Sequence, residues 1–211
     1  MRGITLPPTF NNNMMNHVNE WLDVSENEMV SLWRRVMHLD PVRRECTVER
    51  DDGIDLDDLL RIHLRQWYAH LLRTAPVAWL PVEEMRAEVS VSADNEGVVT
   101  ALLPARCVRP VEWQLAGWER SVTAFALAGD PAAVKEQSPW TRSGQCRPAA
   151  VVYDNRLLLY SLPEGVNPVI TMARCVAAPA QGRYVMHHDA LATLPRALSA
   201  MDFPVAMDSR P

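Results

Sequence analysis

Residues 88–103 read Glu88-Val89-Ser90-Val91-Ser92-Ala93-Asp94-Asn95-Glu96-Gly97-Val98-Val99-Thr100-Ala101-Leu102-Leu103. Apolar and polar residues alternate over 88–92, which places successive side chains on opposite faces of a strand. Asp94-Asn95-Glu96-Gly97 supplies turn residues, and a strand pattern resumes from Val98 to Leu103. This is the signature of a β-hairpin. It decides the fold class because the residues before it follow a different period.

Upstream, Leu56, Leu60, Leu64, Trp67 and Leu71 recur at helical spacing, in a stripe widened by Leu59, His63, Tyr68 and Leu72. Asp57 and Asp58 fall in the first turn, where exposed amides and the helix dipole favour negative charge, and Pro76 stops the helix. An earlier helix opens at Ser25. Ser25 and Glu28 form a Ser-x-x-Glu capping box, and Met29, Val30, Trp33, Val36 and Met37 line one face. Asp40-Pro41 ends it, because the residue before a proline avoids the helical region. Before this helix, Val18, Trp21 and Leu22 form a short amphipathic stretch. Between the two helices lies a charged connector, Arg43-Arg44-Glu45 to Asp51-Asp52-Gly53.

Downstream of the first hairpin, strands are expected at 111–115 and 121–127, with Ala116-Gly117-Trp118 as a bend or bulge between them. Asp130-Pro131 starts a short helix reaching about Gln137. A second hairpin follows, with strands at 149–153 and 156–162 around Asp154-Asn155, and the last strand falls at 168–176. Helices and strands segregated in this way indicate α+β rather than a βαβ nucleotide fold. The expected organisation is a flexible arm over 1–14 and a helical part over 15–75 built on two main amphipathic helices. That part packs on an antiparallel sheet, or on a small sandwich or barrel of hairpins, over 76–180. An irregular C-terminal tail over 181–211 carries a short helix near His188.

Composition narrows the function classes. Apolar residues make up 48% and charged residues 22% of 211, as in an ordinary globular chain. No apolar stretch approaches the roughly 20 residues a bilayer requires, and no apolar run follows Arg2, so neither a membrane span nor a secretory signal is expected. Residues 1–105 hold 17 acids and 10 bases, and residues 106–211 hold 9 and 11. Neither half carries the dense basic stripe of a nucleic-acid binder. Lys135 is the sole lysine among 21 basic residues; a GC-rich genome accounts for such an arginine bias, and interface use is the alternative. Cys46, Cys107, Cys146 and Cys175 are too widely spaced for a zinc knuckle or a redox motif, so free thiols in a reducing compartment are expected.

Nucleotide-loop, nucleophile-elbow and zinc-protease motifs are absent. His63 and His70, seven apart on one helix, are too distant to share a metal directly and read as structural. His187-His188-Asp189 offers a base beside a carboxylate, but neighbouring residues generally point apart, so these read as polar surface residues near a frayed end. The acidic run 51–58 lacks the order of a calcium loop and reads as a helix N-terminus. No catalytic, cofactor-binding or metal-ligating residue is therefore assigned. What remains is an interaction surface. Trp113, Trp118 and Trp140, near bends or in irregular segments, together with Arg142 and Arg147, are its interface candidates. A small-molecule module or enzyme using the polar loop 140–147 is the alternative.

The segment 103–163 carries Leu103-Pro104, Val111-Glu112-Trp113-Gln114-Leu115-Ala116-Gly117-Trp118, Arg120, Val122, Gln137, Arg142-x-Gly144, Arg147-Pro148, Leu157-Leu158-Leu159-Tyr160 and Pro163. It resembles the head–tail connector, or adaptor, virion proteins of tailed phages and prophages, and also proteins of gut Bacteroidetes. The resemblance implies a ring-forming assembly protein with neighbouring virion proteins or copies of itself as partners. Trp113, Trp118, Gln137, Arg142, Arg147 and Tyr160 would then be structural or interface positions. It also implies a virion setting; otherwise the cytoplasm is expected.

Overall fold

The computed structural model describes residues 20–36 and 56–194, with the side chains of Val36 and Leu56 excepted. The expected arm over 1–14, Val18, the end of the first helix at Asp40-Pro41, the acidic connector with Cys46, and the tail beyond 194 lie outside the described residues. Within them the protein is α+β, with helices and antiparallel-rich sheets.

The chain enters as strand β1 (Trp21–Ser25) and turns directly into helix α1 (Glu26–Val36). The capping box makes that junction: the Ser25 amide and hydroxyl both donate to Glu28 Oε2 at 2.8 Å, and the Glu28 amide reaches back to the Ser25 hydroxyl at 3.4 Å. Helix α2 (Leu56–Thr74) follows. Its stripe is buried as the spacing requires, with Leu60 and Leu64 fully enclosed and Trp67, Tyr68, Leu71 and Leu72 nearly so. These residues share one core with Met29, Val30 and Trp33 of α1. Arg65 clasps both oxygens of Glu26 at 2.6 and 2.8 Å, and Arg34 pairs with Asp57. The same core takes Tyr184 and Met186 from strand β10 (Arg183–His187), which pairs antiparallel with β1. Two expectations are corrected here. The stretch around Trp21 is a strand, and the tail from residue 181 contains a strand before the short 3₁₀ helix His188–Thr193.

A three-stranded sheet orders β2 (Val82–Glu84), β9 (Ile170–Ala177) and β5 (Cys107–Leu115), with β9 in the middle. Its two faces serve two cores. Val176 faces the helices, whereas Ala173, Cys175 and Ala177 face the second core, as alternation along a strand dictates. Strand β5 also offers one face to each core, and slips in its register set which residues face which. Pro110 sits opposite Cys175 and Glu112 opposite Arg174, so Val111 is an extra residue. Such a bulge exchanges the faces, turning Val111 towards the helices and Trp113 and Leu115 into the second core.

The second core is closed by a five-stranded sheet in the order β3 (Ser90–Ala93), β4 (Val99–Leu102), β8 (Arg156–Leu159), β7 (Ala150–Tyr153), β6 (Phe125–Leu127). Both expected hairpins are present. In the first, Asp94 Oδ1 accepts the Glu96 and Val98 amides at 2.9 Å each. In the second, Asp154 takes the positive φ of 54° that its two-residue loop needs. Val99, Ala101, Leu157 and Leu159 point at Trp113 and Leu115. One pairing departs from the antiparallel expectation. Strand β6 runs parallel to β7, because helix α3 (Pro131–Gln137) carries the chain back between them. Ala133 of α3 packs with Val151 and Tyr160 on the sheet's outer face.

Candidate functional site: a braced loop that presents Trp140

The five interface candidates have different fates. Trp113 is fully buried in the second core and Trp118 is 5% exposed, its indole Nε1 donating to the Ser161 carbonyl at 3.1 Å. Both therefore act as packing residues inside the folded chain. Trp140 is 95% exposed, and Arg147 is exposed on the same loop. Arg142 lies between these extremes, its side chain 9% exposed.

The loop that holds Trp140 is braced from beneath by a residue that spacing alone does not single out. Glu136, near the end of α3, is the one buried charged residue among those described. Its Oε2 accepts the Ser143 amide at 2.7 Å and its Oε1 accepts the Ser143 hydroxyl at 2.6 Å. Arg142 then folds back over the same helix end. Its Nε donates to the Glu136 carbonyl at 3.1 Å, its Nη1 donates to the Glu96 carbonyl at 2.6 Å, and its guanidinium lies 5.3 Å from the Tyr160 ring centroid. Thr141 Oγ1 donates to the Lys135 carbonyl at 2.6 Å. Ser161, at a positive φ of 69°, donates to the Ser143 carbonyl while its own carbonyl receives Trp118. Buried polar groups satisfied this fully make a rigid unit. The signal that could have exposed Glu136 is its position three residues after Ala133, on the buried side of a short helix.

Arg142 thus serves the scaffold, and with it the polar loop is tied to the protein's own carbonyls and carboxylate. Other large apolar side chains stand exposed on neighbouring elements: Leu127 on the edge strand β6, Val134 on α3, and Tyr153 at the end of β7. Strand β6 leaves one side of its backbone unpaired within the sheet.

A separate cleft of about 710 Å³ opens where β5 leaves the end of α2, lined in part by Arg73, Leu103, Arg109, Phe125 and Val152. Arg109 donates to the carbonyls of Arg73 and Ala75, which completes the C-terminus of α2. Its Nε is buried with no hydrogen-bond partner among the described residues, and burial pulls the guanidinium pKa below its ordinary value.

The fold and the loop define an α+β protein with a solvent-exposed tryptophan on a hydrogen-bonded loop. No protein-family model, curated protein or solved structure matches the chain. No helix among the described residues is long and apolar enough to cross a membrane.

Proposed function

We propose that the protein is a non-enzymatic assembly protein acting through protein–protein interfaces, with Trp140 as the anchor of its docking surface. One observation carries this reading: an indole 95% exposed on a loop braced through a buried carboxylate. A tryptophan on a slack segment collapses onto the nearest apolar surface. One held outward by a rigid mount is ready to fill a partner's pocket without an ordering cost. The partner in this reading is a second copy of the chain or a neighbouring assembly protein, in keeping with the resemblance to head–tail connector components. Light scattering on the full chain and on Trp140→Ala tests it. The expected result is a concentration-dependent oligomer that dissociates in the variant while thermal stability stays the same, because so exposed a side chain adds nothing to the core. A strictly monomeric wild type, or an oligomer indifferent to the substitution, overturns self-assembly through this surface.

Arg109 favours a second reading, a small-molecule module located at the Arg73–Arg109 cleft rather than at the 140–147 loop. Arg73 and Arg109 line this cleft beside Asp154, and a pair of guanidiniums suits an anionic ligand with an apolar body. Calorimetric titration with small aromatic carboxylates and organic phosphates checks it, with Arg73→Ala as the variant expected to weaken binding. No binding across both classes removes this reading.

A further inference from the structure

The end of β10 and the turn after it bring together side chains that adjacent positions on a strand would keep apart. His187, His188 and Asp189 offer two ring nitrogens and a carboxylate whose ligand atoms all lie within 4.8 Å of one another. His187 Nδ1 stands 3.3 Å from Asp189 Oδ2, and His188 Nε2 stands 3.1 Å from Asp189 Oδ1. A fourth group arrives from the opposite end of the described chain. Glu20, just before β1, places Oε2 3.2 Å from His187 Nε2, and its carbonyl accepts the His188 amide at 2.7 Å. The pairing of Trp21 with His187 holds this arrangement in register, and the two rings meet edge to face. The His187 side chain is 12% exposed, whereas His188 and Asp189 face solvent.

His187 Nδ1 also accepts the Asp189 amide at 3.3 Å, a contact made where β10 turns into the 3₁₀ helix. A ring nitrogen has one lone pair, so a metal ion at Nδ1 would take the place of that long contact.

We propose that this cluster is a divalent transition-metal site suited to Zn²⁺, with His187 Nδ1, His188 Nε2 and the Asp189 carboxylate as ligands. Two imidazoles and one carboxylate select zinc-like ions over Mg²⁺ or Ca²⁺, which take oxygen shells. The 3.1 and 3.3 Å nitrogen–oxygen separations run to the two oxygens of Asp189, which places the carboxylate between the rings. Rotation of the exposed His188 and Asp189 side chains would bring both nitrogens and one oxygen to bonds of about 2.0–2.1 Å. Glu20 is the outer support: a carboxylate on the far nitrogen of a liganding histidine orients the ring and raises its basicity. Three protein ligands leave a fourth position to water. An ion there would fasten the entrance of β1 to the exit of β10.

The test uses the untagged full chain, stripped with a chelator and titrated with Zn²⁺ against a competing chromophoric indicator at about pH 7.5, above the ordinary imidazole range. The expected result is one tight equivalent per chain, absent from His188→Ala and from Asp189→Asn. Circular dichroism checks that both variants keep the fold, as their exposed side chains imply. Glu20→Gln should retain the stoichiometry and weaken affinity about 10–100-fold. Substituted Co²⁺ should show the visible bands of a four-coordinate ion. Absence of saturable binding overturns the proposal, as does an equivalent that survives both ligand substitutions, which would put the metal on other histidines.

Discussion

The Tyr68 hydroxyl holds both backbone groups of Val185, donating to its carbonyl at 2.8 Å and accepting its amide at 3.0 Å. Val185 is central in β10, which among the described residues has β1 as its only sheet partner. Helix α2 therefore seals part of the strand's other side with one phenol, where an open edge would otherwise invite pairing. Burial raises the Tyr68 pKa to about 12, so the hydroxyl keeps the proton it donates across the range in which proteins are handled. Tyr68→Phe should leave the Val185 amide and carbonyl without this partner at a cost of about 1–3 kcal/mol. Urea denaturation measures that loss, and hydrogen exchange should show faster exchange at Val185. An unchanged Val185 amide would show that the phenol is not its protecting partner.

Glu136 is the brace of the Trp140 loop, and its removal should uncouple exposure from rigidity. Glu136→Ala leaves the half-buried Ser143 amide without its carboxylate partner, at a cost of about 1 kcal/mol. The loop 140–147 should become a site of rapid proteolysis while the β3–β4 hairpin stays protected. If Trp140 anchors an interface, the same variant weakens self-association even though the tryptophan is still present. Limited proteolysis and light scattering on one preparation read both effects.

Acid should weaken the junction between β1 and α1. The Arg65 guanidinium holds Glu26 below its ordinary carboxylate value of 4.5, and the Ser25 amide and hydroxyl do the same for Glu28. A carboxyl depressed in the folded state contributes stability that is fully present above its unfolded pKa. That contribution is lost as pH falls through the folded value. Urea midpoints should drop as pH is lowered from about 5 towards about 3, and Glu26→Gln/Glu28→Gln should flatten part of that slope. The effect should shrink in high salt, since both groups are near the surface. A slope identical in the double variant would assign the acid sensitivity to other carboxyls.

Cys146 is exposed, yet it should react slowly. Its Sγ donates to Glu119 Oε1 at 3.2 Å, and that carboxylate raises the thiol pKa above its ordinary value. Because the thiolate is the nucleophile, Glu119→Gln should speed alkylation of Cys146 several-fold near pH 8. The advantage should vanish once the pH exceeds the thiol pKa in both proteins. Peptide-resolved iodoacetamide labelling follows this cysteine alone. Equal rates at every pH would show that Glu119 does not control it.

Several of these features are legible without coordinates. The Ser25–Glu28 cap joins residues three apart, the Asp94 turn joins residues up to four apart, and the second hairpin turns on two residues, so chain connectivity brings each set together before any tertiary contact forms. The stripe on α2 is equally visible, because burial of one helix face imposes a 3.6-residue period. The brace of the Trp140 loop is less so. Glu136 and Ser143 lie close in sequence, but only the packing of α3 on the sheet makes that carboxylate buried rather than solvated.

By itself, the sequence determined the α+β class, the starts of α1 and α3 and both hairpins, all set by interactions among neighbouring residues. Tertiary structure alone decided the pairing of β1 with β10, in which Asp23 and Arg183 meet across 160 residues. A five-residue strand is too short to declare its period, and its partner depends on how the whole chain closes. Tertiary structure also separated Trp113 from Trp140, two similar side chains that end 0% and 95% exposed. The extra residue at Val111 turns the first inward, and the buried Glu136 holds the second out. Neither effect belongs to the tryptophan itself, because burial depends on what surrounds a side chain.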